Sequence, residues 1–372
     1  MSDELISITA AVSREPNGPF SIEQLTLEPP RPDEVLVRIV AAGMCHTDLM
    51  AKDAPQMPHP MVLGHEGAGV VERVGSAVRK LEPGDHVVLT FMHCGRCPRC
   101  LAGEPSYCER IMPLCFGGAR EDGTTATHGA QGPIHDHFFG QSSFATYALA
   151  SERNAVKVPK DAPLELLGPF GCGLPTGAGS VINALKVGVG QSLAVFGAGA
   201  VGMAAIMAAR IVGATTIVAV DLVDSRLELA LELGATHVVN GRARDVVEQV
   251  RAATAGRGMD FSLDATGTDK VMTMAMQVLG TRGALGFVGG APPGATATVD
   301  LAWLMTAGRS LRGILEGDAV PDMFIPALIE LHRLGRFPFE KLVKVYELKD
   351  INQAAHDSES GKVIKPVIRM PV

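Results

Sequence analysis

The first 150 residues alternate apolar and polar side chains in short runs that are broken by glycine and proline. Alternation with a period of two, interrupted by turn-forming residues, is typical of antiparallel strands. The runs that show this pattern best are VLVRIV, GAGVVERVG, GDHVVLT and FATYALA. The pattern therefore predicts a mainly β domain in this part of the chain.

The pattern changes from about residue 173, where continuous apolar runs alternate with longer runs of helical periodicity. The strand-like runs are SLAVF, TTIVAVD, HVVN, MDFSLDAT, GALGFVGG and SLRGIL, and the helical runs are VGMAAIMAARIVGA and SRLELALELGA. Strands and helices that alternate in this way predict an α/β fold with a doubly wound parallel sheet. After about residue 313 the sequence predicts a helix in MFIPALIELHRLG and a last strand in VIKPVIRM.

The composition favours a folded protein that acts on a small molecule. Hydrophobic types make up 47% of the 372 residues and charged types 20%, which is typical of globular domains. The net charge of −7 and the lack of a long basic run disfavour nucleic acid and anionic membranes as partners. The N-terminal residues are acidic and lack an apolar core, so we expect no secretory signal and a cytoplasmic protein.

A glycine-rich motif, VFGAGAVG, follows one apolar strand and opens a helix. In a dinucleotide-binding turn, Gly197 would permit the tight turn, Gly199 would let the backbone approach a pyrophosphate, and Gly202 would let helix and strand pack closely. The N–H groups at the start of the helix, at Ala200 and Val201, would face the phosphates. A glycine-rich turn that serves packing alone is the alternative.

Asp221 ends the run TTIVAVD, 19 residues after the last glycine of this motif. An acidic residue at this distance belongs to the dinucleotide fingerprint, since it accepts hydrogen bonds from the ribose hydroxyls of the adenosine. Its charge would repel a 2′-phosphate. The sequence therefore predicts NAD rather than NADP.

Seven cysteines stand in the chain, and their odd number and clustering favour metal binding over disulfides. Four of them, Cys94, Cys97, Cys100 and Cys108, lie within fifteen residues. Four thiolates suit a closed, tetrahedral zinc site with a structural role. An iron–sulfur cluster is the alternative, but the spacing to Cys108 does not complete a ferredoxin-type motif.

Cys45, His65 and Cys172 offer a second set of metal ligands. Two thiolates and one imidazole would leave a fourth position for water or substrate, which is the arrangement of a catalytic zinc site. The residues alone leave the alternative open that these are buried core cysteines and a hydrogen-bonded histidine.

Four stretches, taken together and in this order, resemble the zinc-dependent medium-chain alcohol dehydrogenases: GHEGAGVVERVG, CGRCPRC with Cys108, GCGLPTGAGS and FGAGAVG. PLELLGPFGCG and EGDAVPDMFIPALIELHRLGRFPFEKLV are similar to the bacterial aryl and allylic branch, of the benzyl alcohol and geraniol type. The resemblance implies a GroES-like catalytic domain at residues 1–172 and 313–372, with a Rossmann domain at 173–312 between. It also implies NAD, two zinc ions per chain, a homodimer or homotetramer, and reversible oxidation of a primary alcohol to the aldehyde.

The resemblance also implies roles for individual residues. The residues implied in catalysis are Cys45, His46, Thr47, Asp48, His65, Glu66 and Cys172. Glu66 matches an acidic residue that can coordinate the zinc transiently, Asp48 one that holds the ligand histidine, and Thr47 one that hydrogen-bonds the substrate oxygen. Implied cofactor contacts are His46 and Lys365 at the pyrophosphate, Arg226 at the adenosine and Thr176 at the nicotinamide.

Met50 departs from the family's pattern, in which many members carry a histidine that passes the proton to solvent. Methionine cannot titrate, so our hypothesis is that the proton leaves through Thr47, the cofactor ribose and water, or that His46 takes part. The first route is wrong if Met50→His leaves the pH dependence of turnover unchanged while His46→Gln abolishes its fall at low pH. Packing of Met50 beside the cofactor is the alternative.

Phe91, Phe138 and Phe139 are candidates for the wall of an apolar substrate pocket, with ordinary core packing as the alternative. No cationic residue is recognisable as an anchor for a carboxylate or phosphate, so we expect a neutral apolar alcohol. The run from His135 to His137 is interpreted as solvated loop residues, and Cys115 as a buried thiol.

Other functions remain open. A zinc-free quinone or enoyl reductase of the same superfamily would keep the glycines without needing Cys45, His65 and Cys172. A non-catalytic protein, such as a lens crystallin of this superfamily, would tolerate their loss. A glutathione-dependent formaldehyde dehydrogenase or a general aliphatic alcohol dehydrogenase would retain both zinc sites.

Overall fold

The computed structural model describes residues 4–291 and 294–371, which form two compact units. The first unit comprises the described residues up to Cys172, Val320–Arg333, and those from Phe339 on, and the second comprises Gly173–Ala319 and Leu334–Pro338. The second unit therefore extends to Ala319, beyond the residue 312 at which the sequence analysis ended the Rossmann domain. The turn at Glu316–Asp318 packs within this unit. There the side-chain amide of Asn183 donates to the carbonyl of Gly317 at 3.1 Å.

Residues 4–172 form short strands joined by turns, as the alternating pattern predicts. The strands are β1 (Ile6–Ser13), β2 (Phe20–Leu27), β3 (Glu34–Gly43), β4 (Met61–Val62), β5 (Glu66–Val74), β6 (His86–Leu89), β7 (Thr127–Gly129), β8 (Gly132–Ile134), β9 (Tyr147–Ser151) and β10 (Ala155–Val158). The α-helices are short: α1 (His46–Asp53), α2 (Pro98–Leu101) and α3 (Ile111–Phe116).

The second unit alternates strands and helices. Its elements are α4 (Gly173–Gly179), β11 (Ser192–Phe196), α5 (Ala200–Ile211), β12 (Thr216–Asp221), α6 (Asp224–Leu233), β13 (His237–Asn240), α7 (Val246–Ala252), β14 (Met259–Asp264), α8 (Asp269–Gln277), β15 (Leu279–Phe287), α9 (Leu301–Thr306) and β16 (Ser310–Gly313). The chain then adds α10 (Pro321–Arg333), β17 (Val343–Glu347), α11 (Ile351–Glu359) and β18 (Lys365–Arg369) to the first unit. Among the described helices, none combines the length and the apolar character that crossing a membrane requires.

The first unit contains two sheets. One has the order β4-β1-β2-β7-β8, and the other has the order β10-β6-β5-β3-β18-β17, with β9 also paired to β3. The pairs are antiparallel except β17 with β18. In β3 the alternate residues Val35, Val37 and Ile39 enter the main core, while Leu36 on the opposite face enters a second core and Arg38 is exposed. The period-two pattern therefore reflects one fully buried face and an opposite face that is buried in part.

The second unit is built on a parallel sheet with the order β13-β12-β11-β14-β15-β16. The prediction of a doubly wound parallel sheet is therefore confirmed. The strand order reverses between β11 and β14, and in such sheets ligands bind at the carboxyl ends of the strands beside this reversal. The glycine-rich turn after β11 lies at that place.

Candidate active site

The structure brings Cys45, His65, Glu66 and Cys172 together, with one ligand atom of each lying within 4.8 Å of the others. Cys45 precedes α1, His65 and Glu66 lie at the start of β5, and Cys172 follows a tight turn at Gly168–Gly171. His65 and Glu66 are fully buried, and Cys172 is nearly so. Residues far apart in the sequence thus form one compact set of sulfur, nitrogen and oxygen donors.

His65 is oriented by Asp48, a fully buried carboxylate in the first turn of α1. The Nδ1 atom of His65 lies 2.8 Å from Oδ1 of Asp48, whereas its buried Nε2 atom has no hydrogen-bond partner among the described residues. Buried polar atoms normally have a partner, so an orphaned Nε2 beside two sulfurs fits a metal ligand. Asp48 also accepts from the backbone N–H of Cys45 at 2.9 Å and of Gly64 at 3.1 Å.

The electrostatics of the cluster favour thiolate ligands. A hydrogen bond with Cys172 and the charges of Lys365 and His65 lower the pKa of the Cys45 thiol well below its usual value, against the effect of burial. Burial alone would lower the pKa of His65, but the Asp48 carboxylate raises it above its usual value. Binding of a metal ion by this imidazole would therefore release a proton.

Glu66 forms a buried ion pair with Lys365. The ammonium group donates to Oε1 of Glu66 at 2.9 Å, to Oε2 at 3.0 Å and to the carbonyl of Met44 at 3.2 Å. Burial raises the pKa of Glu66 to about 7, against the attraction of Lys365. All three N–H donors of Lys365 are used in these bonds, so the pyrophosphate contact predicted for it would require one of them to be exchanged.

A polar segment that the sequence analysis missed holds the loop around His65. The side chain of Gln141 donates to the carbonyls of His65, at 2.8 Å, and Thr90, at 3.1 Å, and accepts from the N–H of Gly67 at 3.1 Å. The hydroxyl of Ser143 also donates to Gln141. No local signal in the sequence marks these residues, since their partners lie far away along the chain.

Two of the three predicted pocket aromatics contact the metal site directly. The ring centroids of Phe139 and Phe138 lie 4.5 Å and 5.6 Å from that of His65. Phe91 is buried in the same core, and its assignment to the pocket wall stays a prediction. These rings surround the imidazole with apolar surface.

Two of the residues predicted to act on substrate and cofactor lie at the start of α1. The hydroxyl of Thr47 is 3.8 Å from Sγ of Cys45 and partly exposed. His46 is exposed, as is Met50 one helical turn later. The structure thus leaves Thr47 beside the metal ligands and His46 open to solvent.

The four clustered cysteines form the second donor set, with their sulfurs within 4.8 Å of one another. Backbone N–H groups donate to the sulfurs: Cys97 to Cys94 at 3.3 Å, Cys100 to Cys97 at 3.5 Å and Cys94 to Cys108 at 3.3 Å. The hydrogen bond from Cys100 lowers the pKa of Cys97 to about 6, whereas burial and neighbouring thiols raise that of Cys100 to about 12. Four such sulfurs ionise together only around a cation, so the set fits a zinc ion.

The glycine-rich turn packs tightly at two of its glycines and leaves open space at the third. Gly197 has a φ of 93°, and a Cβ atom on Gly202 would lie 1.8 Å from the carbonyl oxygen of Gly197. A Cβ atom on Gly199 would meet nothing within 4 Å, so the space beside it is open to a ligand. A cavity of about 520 Å³ lies here, with Gly197, Gly199, Asp221, Arg226, Thr266 and Thr268 in its wall.

Asp221 and Arg226 line this cavity, as their predicted contacts with adenosine require. The carboxylate of Asp221 accepts from the N–H of Ala198 at 2.7 Å, which ties it to the glycine-rich turn. Thr176 lies in α4, where its hydroxyl donates to Glu316 at 3.3 Å. Its contact with nicotinamide stays a prediction.

The interpretation of residues 135–137 as solvated is wrong. Asp136 is 3% exposed, and its carboxylate lies 2.5 Å from Nδ1 of His137. His135 is partly buried, with Nδ1 3.1 Å from the carbonyl of Gly118. The prediction that Cys115 is buried is confirmed.

Two family models match the chain. One is described as an alcohol dehydrogenase GroES-like domain and matches residues 31–160, and the other is described as a zinc-binding dehydrogenase and matches residues 200–333. Among curated proteins, the chain is 48% identical to a geraniol dehydrogenase of Castellaniella defragrans, over 99% of each chain.

Solved structures of similar proteins extend this comparison. A benzyl alcohol dehydrogenase from Acinetobacter calcoaceticus superposes with a TM-score of 0.95 at 47% identity, covering 99% of this chain and 100% of that one. An alcohol dehydrogenase zinc-binding domain protein from Burkholderia ambifaria superposes with a TM-score of 0.98 at 57% identity, with the same coverage. These similarities extend over both compact units.

Proposed function

Because the chain belongs to the zinc-dependent medium-chain alcohol dehydrogenases, we propose that it transfers a hydride reversibly between a primary aryl or allylic alcohol and NAD. The observation that carries this proposal is the convergence of Cys45, His65 and Cys172 around an orphaned ring nitrogen. The substrate class is supported by the similarity to a geraniol and a benzyl alcohol dehydrogenase.

We assign the catalytic zinc to Cys45, His65 and Cys172, with Glu66 beside them, and the structural zinc to the four clustered cysteines. When bound at the catalytic site, zinc supplies a Lewis acid that stabilises negative charge on the substrate oxygen. Asp48 occupies Nδ1 of His65 and thereby leaves Nε2 as the ligand atom. The rings of Phe138 and Phe139 exclude water from one side of the imidazole.

We propose that the hydroxyl of Thr47 accepts the proton that leaves the alcohol. It is partly exposed beside Cys45, so it can accept a proton from the substrate and pass it to the cofactor ribose or to water. Met50 cannot take this proton, and exposed His46 is the titratable neighbour that we propose contacts the pyrophosphate.

NAD supplies the hydride acceptor, and the second unit would bind its adenosine half. The N–H groups at the start of α5, in Gly199, Ala200 and Val201, would face the pyrophosphate. Asp221 would hold the ribose hydroxyls, with Arg226 beside the adenine. We also propose that Thr176 contacts the nicotinamide and that Lys365 contacts the pyrophosphate.

Asp221→Ser is expected to narrow the preference for NAD over NADP by roughly 10- to 100-fold, because a hydrogen bond to a charged group contributes about 1.5–3 kcal/mol. The change removes the carboxylate that accepts the ribose hydroxyls and repels a 2′-phosphate. The ratio of kcat/KM for the two cofactors measures the effect. Asp224→Ser is the matched control, since Asp224 is an exposed carboxylate bonded to Asn240, and equal shifts in both variants would contradict the assignment.

We propose that the enzyme is a homodimer or homotetramer in the cytoplasm. Strand β16 stands at the end of the parallel sheet among the described strands, and Leu301 and Met305 nearby in sequence are 75% and 76% exposed. Such an edge favours pairing with another chain. All seven cysteines lie in the described residues and none forms a disulfide, which suits a reducing compartment. Light scattering that shows a monomer would contradict the assembly.

A panel of alcohols assayed with both cofactors tests the proposed function. Benzylic, cinnamyl and terpenoid alcohols should have the highest kcat/KM, with NAD and with about two zinc ions per chain. Highest turnover of short aliphatic alcohols or of S-(hydroxymethyl)glutathione would instead indicate the corresponding branch of the family. One zinc ion and no alcohol turnover would contradict the proposal and indicate a reductase or a non-catalytic protein.

A further inference from the structure

The segment from His137 to Ser142 has a backbone conformation that most side chains avoid. The φ angle is 58° at His137, 54° at Phe139, 69° at Gly140 and 59° at Ser142. Left-handed values at residues other than glycine cost free energy. The segment must therefore be held in place by contacts with its surroundings.

One side of the segment fixes the loop that carries His65. Gln141 bonds to the carbonyl of His65 and to the N–H of Gly67, at 2.8 Å and 3.1 Å. The ring of Phe139 lies over the imidazole, with 4.5 Å between centroids and a tilt of 31°. The backbone and the ring of His65 therefore both depend on where this segment lies.

The other side of the segment lies against a cluster of charged groups, most of which are buried. His137 contacts Asp136 through Nδ1 at 2.5 Å and Glu34 through Nε2 at 3.5 Å. Arg120 donates to both oxygens of Glu34, at 2.6 Å and 3.0 Å, and to Glu28 at 2.5 Å. The side chain of Arg120 is 4% exposed and that of Glu34 10%, whereas Glu28 is 33% exposed.

Glu34 also connects the cluster to a metal ligand on another element. It is the first residue of β3, and this strand ends at Gly43, close before Cys45. The charge cluster thus links the strand that delivers one sulfur ligand to the segment that holds the imidazole ligand. Its members are not among the donor residues of either metal set.

A buried ion cluster carries a large desolvation cost and adds little net stability, whereas the fork of an arginine fixes its partners in direction as well as distance. We propose that Arg120 and His137 are positioning residues for the catalytic metal site. They hold segment 137–142 against the loop of His65 and thereby keep the imidazole aligned with the two sulfurs. The inference rests on the proposed catalytic zinc.

Two substitutions test this role. Arg120→Lys keeps the charge but lacks the planar fork that bonds both oxygens of Glu34. His137→Gln keeps a donor for Asp136 but loses the charge. Changes in residues that orient metal ligands typically weaken metal affinity by roughly 10- to 100-fold. We therefore expect both variants to release the catalytic zinc to a chelator about 10-fold faster. Release of the structural zinc should be unchanged. The Cys45→Ser variant lacks the catalytic zinc, so the single phase of zinc release that it shows identifies the phase of the structural zinc. The visible spectrum of cobalt at the catalytic site should also change.

Asp357→Asn is the matched control. Asp357 is another buried carboxylate of the first unit, bonded to the hydroxyl of Tyr346 at 2.6 Å and paired with Lys344 and Lys362. No described hydrogen bond or ion pair joins it to segment 137–142, so its variant should lose thermal stability without faster release of the catalytic zinc.

Equal acceleration in the control and the test variants would overturn the inference, as would unchanged release and cobalt spectra in both test variants. If Arg120→Lys does not fold, His137→Gln decides by the same measurements. A wild-type protein that holds one zinc ion would contradict the proposed function instead. The two failures are therefore distinguishable.

Discussion

Replacing Cys45 by serine is expected to lower kcat/KM for alcohol oxidation by about a thousand-fold and to leave one zinc ion per chain in place of two. A metal ion contributes several kcal/mol of charge stabilisation in the transition state, and about 4 kcal/mol corresponds to a thousand-fold in rate. The serine hydroxyl does not ionise near neutral pH, whereas the pKa of Cys45 is lowered well below its usual range. Steady-state kinetics with NAD and elemental analysis for zinc measure both effects.

Cys115→Ser is the control for this experiment. Cys115 is buried, like the proposed ligand Cys172. Its thiol donates to the carbonyl of Met92 at 3.4 Å and belongs to neither set of metal-binding residues. This variant should keep both zinc ions and most of its activity. A Cys45→Ser protein that retained two zinc ions and the wild-type rate would rule out the catalytic site described above.

Cys97→Ser is expected to remove the structural zinc and to lower the midpoint of thermal unfolding by about 10 °C. A structural zinc ion contributes folding free energy directly. A loss of about 4 kcal/mol corresponds to this shift, at roughly 2–4 °C per kcal/mol for domains of 150–250 residues. The lobe at residues 94–108 should then become sensitive to proteases.

The zinc content and the initial rate of Cys97→Ser show whether the variant loses thermal stability alone or also loses catalytic activity. One zinc ion per chain should remain, in the catalytic site, and the initial rate per folded molecule should stay close to that of the wild type. An unchanged unfolding midpoint with two bound zinc ions would show that the four sulfurs do not hold a metal.

Local patterns in the sequence predicted the strands, the helices and the tight packing of the glycine-rich turn, for a physical reason. Alternation in β3 follows from one fully buried face of the strand and an opposite face that is buried only in part. The apolar run of β11 follows from its place inside a parallel sheet. Gly202 is also determined locally, because the carbonyl of Gly197 lies a few residues before it.

Contacts between distant residues were not predictable in this way. His137 was interpreted as solvated although its partner Glu34 lies about 100 residues earlier in the chain. Asp136 was interpreted in the same way, but it accepts from the N–H of Ala126 and the hydroxyl of Thr127 on a neighbouring segment.

The ion pair of Lys365 with Glu66 also joins residues far apart in the chain, and the contact of Lys365 with the pyrophosphate stays a prediction. No pattern in the residues next to Gln141 predicts its bonds to the loop of His65, because its partners lie more than 50 residues earlier in the chain.

The strand β18 pairs with the last residues of β3, and Lys365 at its start balances the buried charge of Glu66. A ribosome adds about 5–20 residues per second from the N-terminus onward, so the four cysteines at 94–108 emerge well before this strand has been synthesised. The structural ion can therefore enter a nascent chain during translation. The positive partner of Glu66 in the catalytic centre, by contrast, is supplied only when the polypeptide is nearly finished.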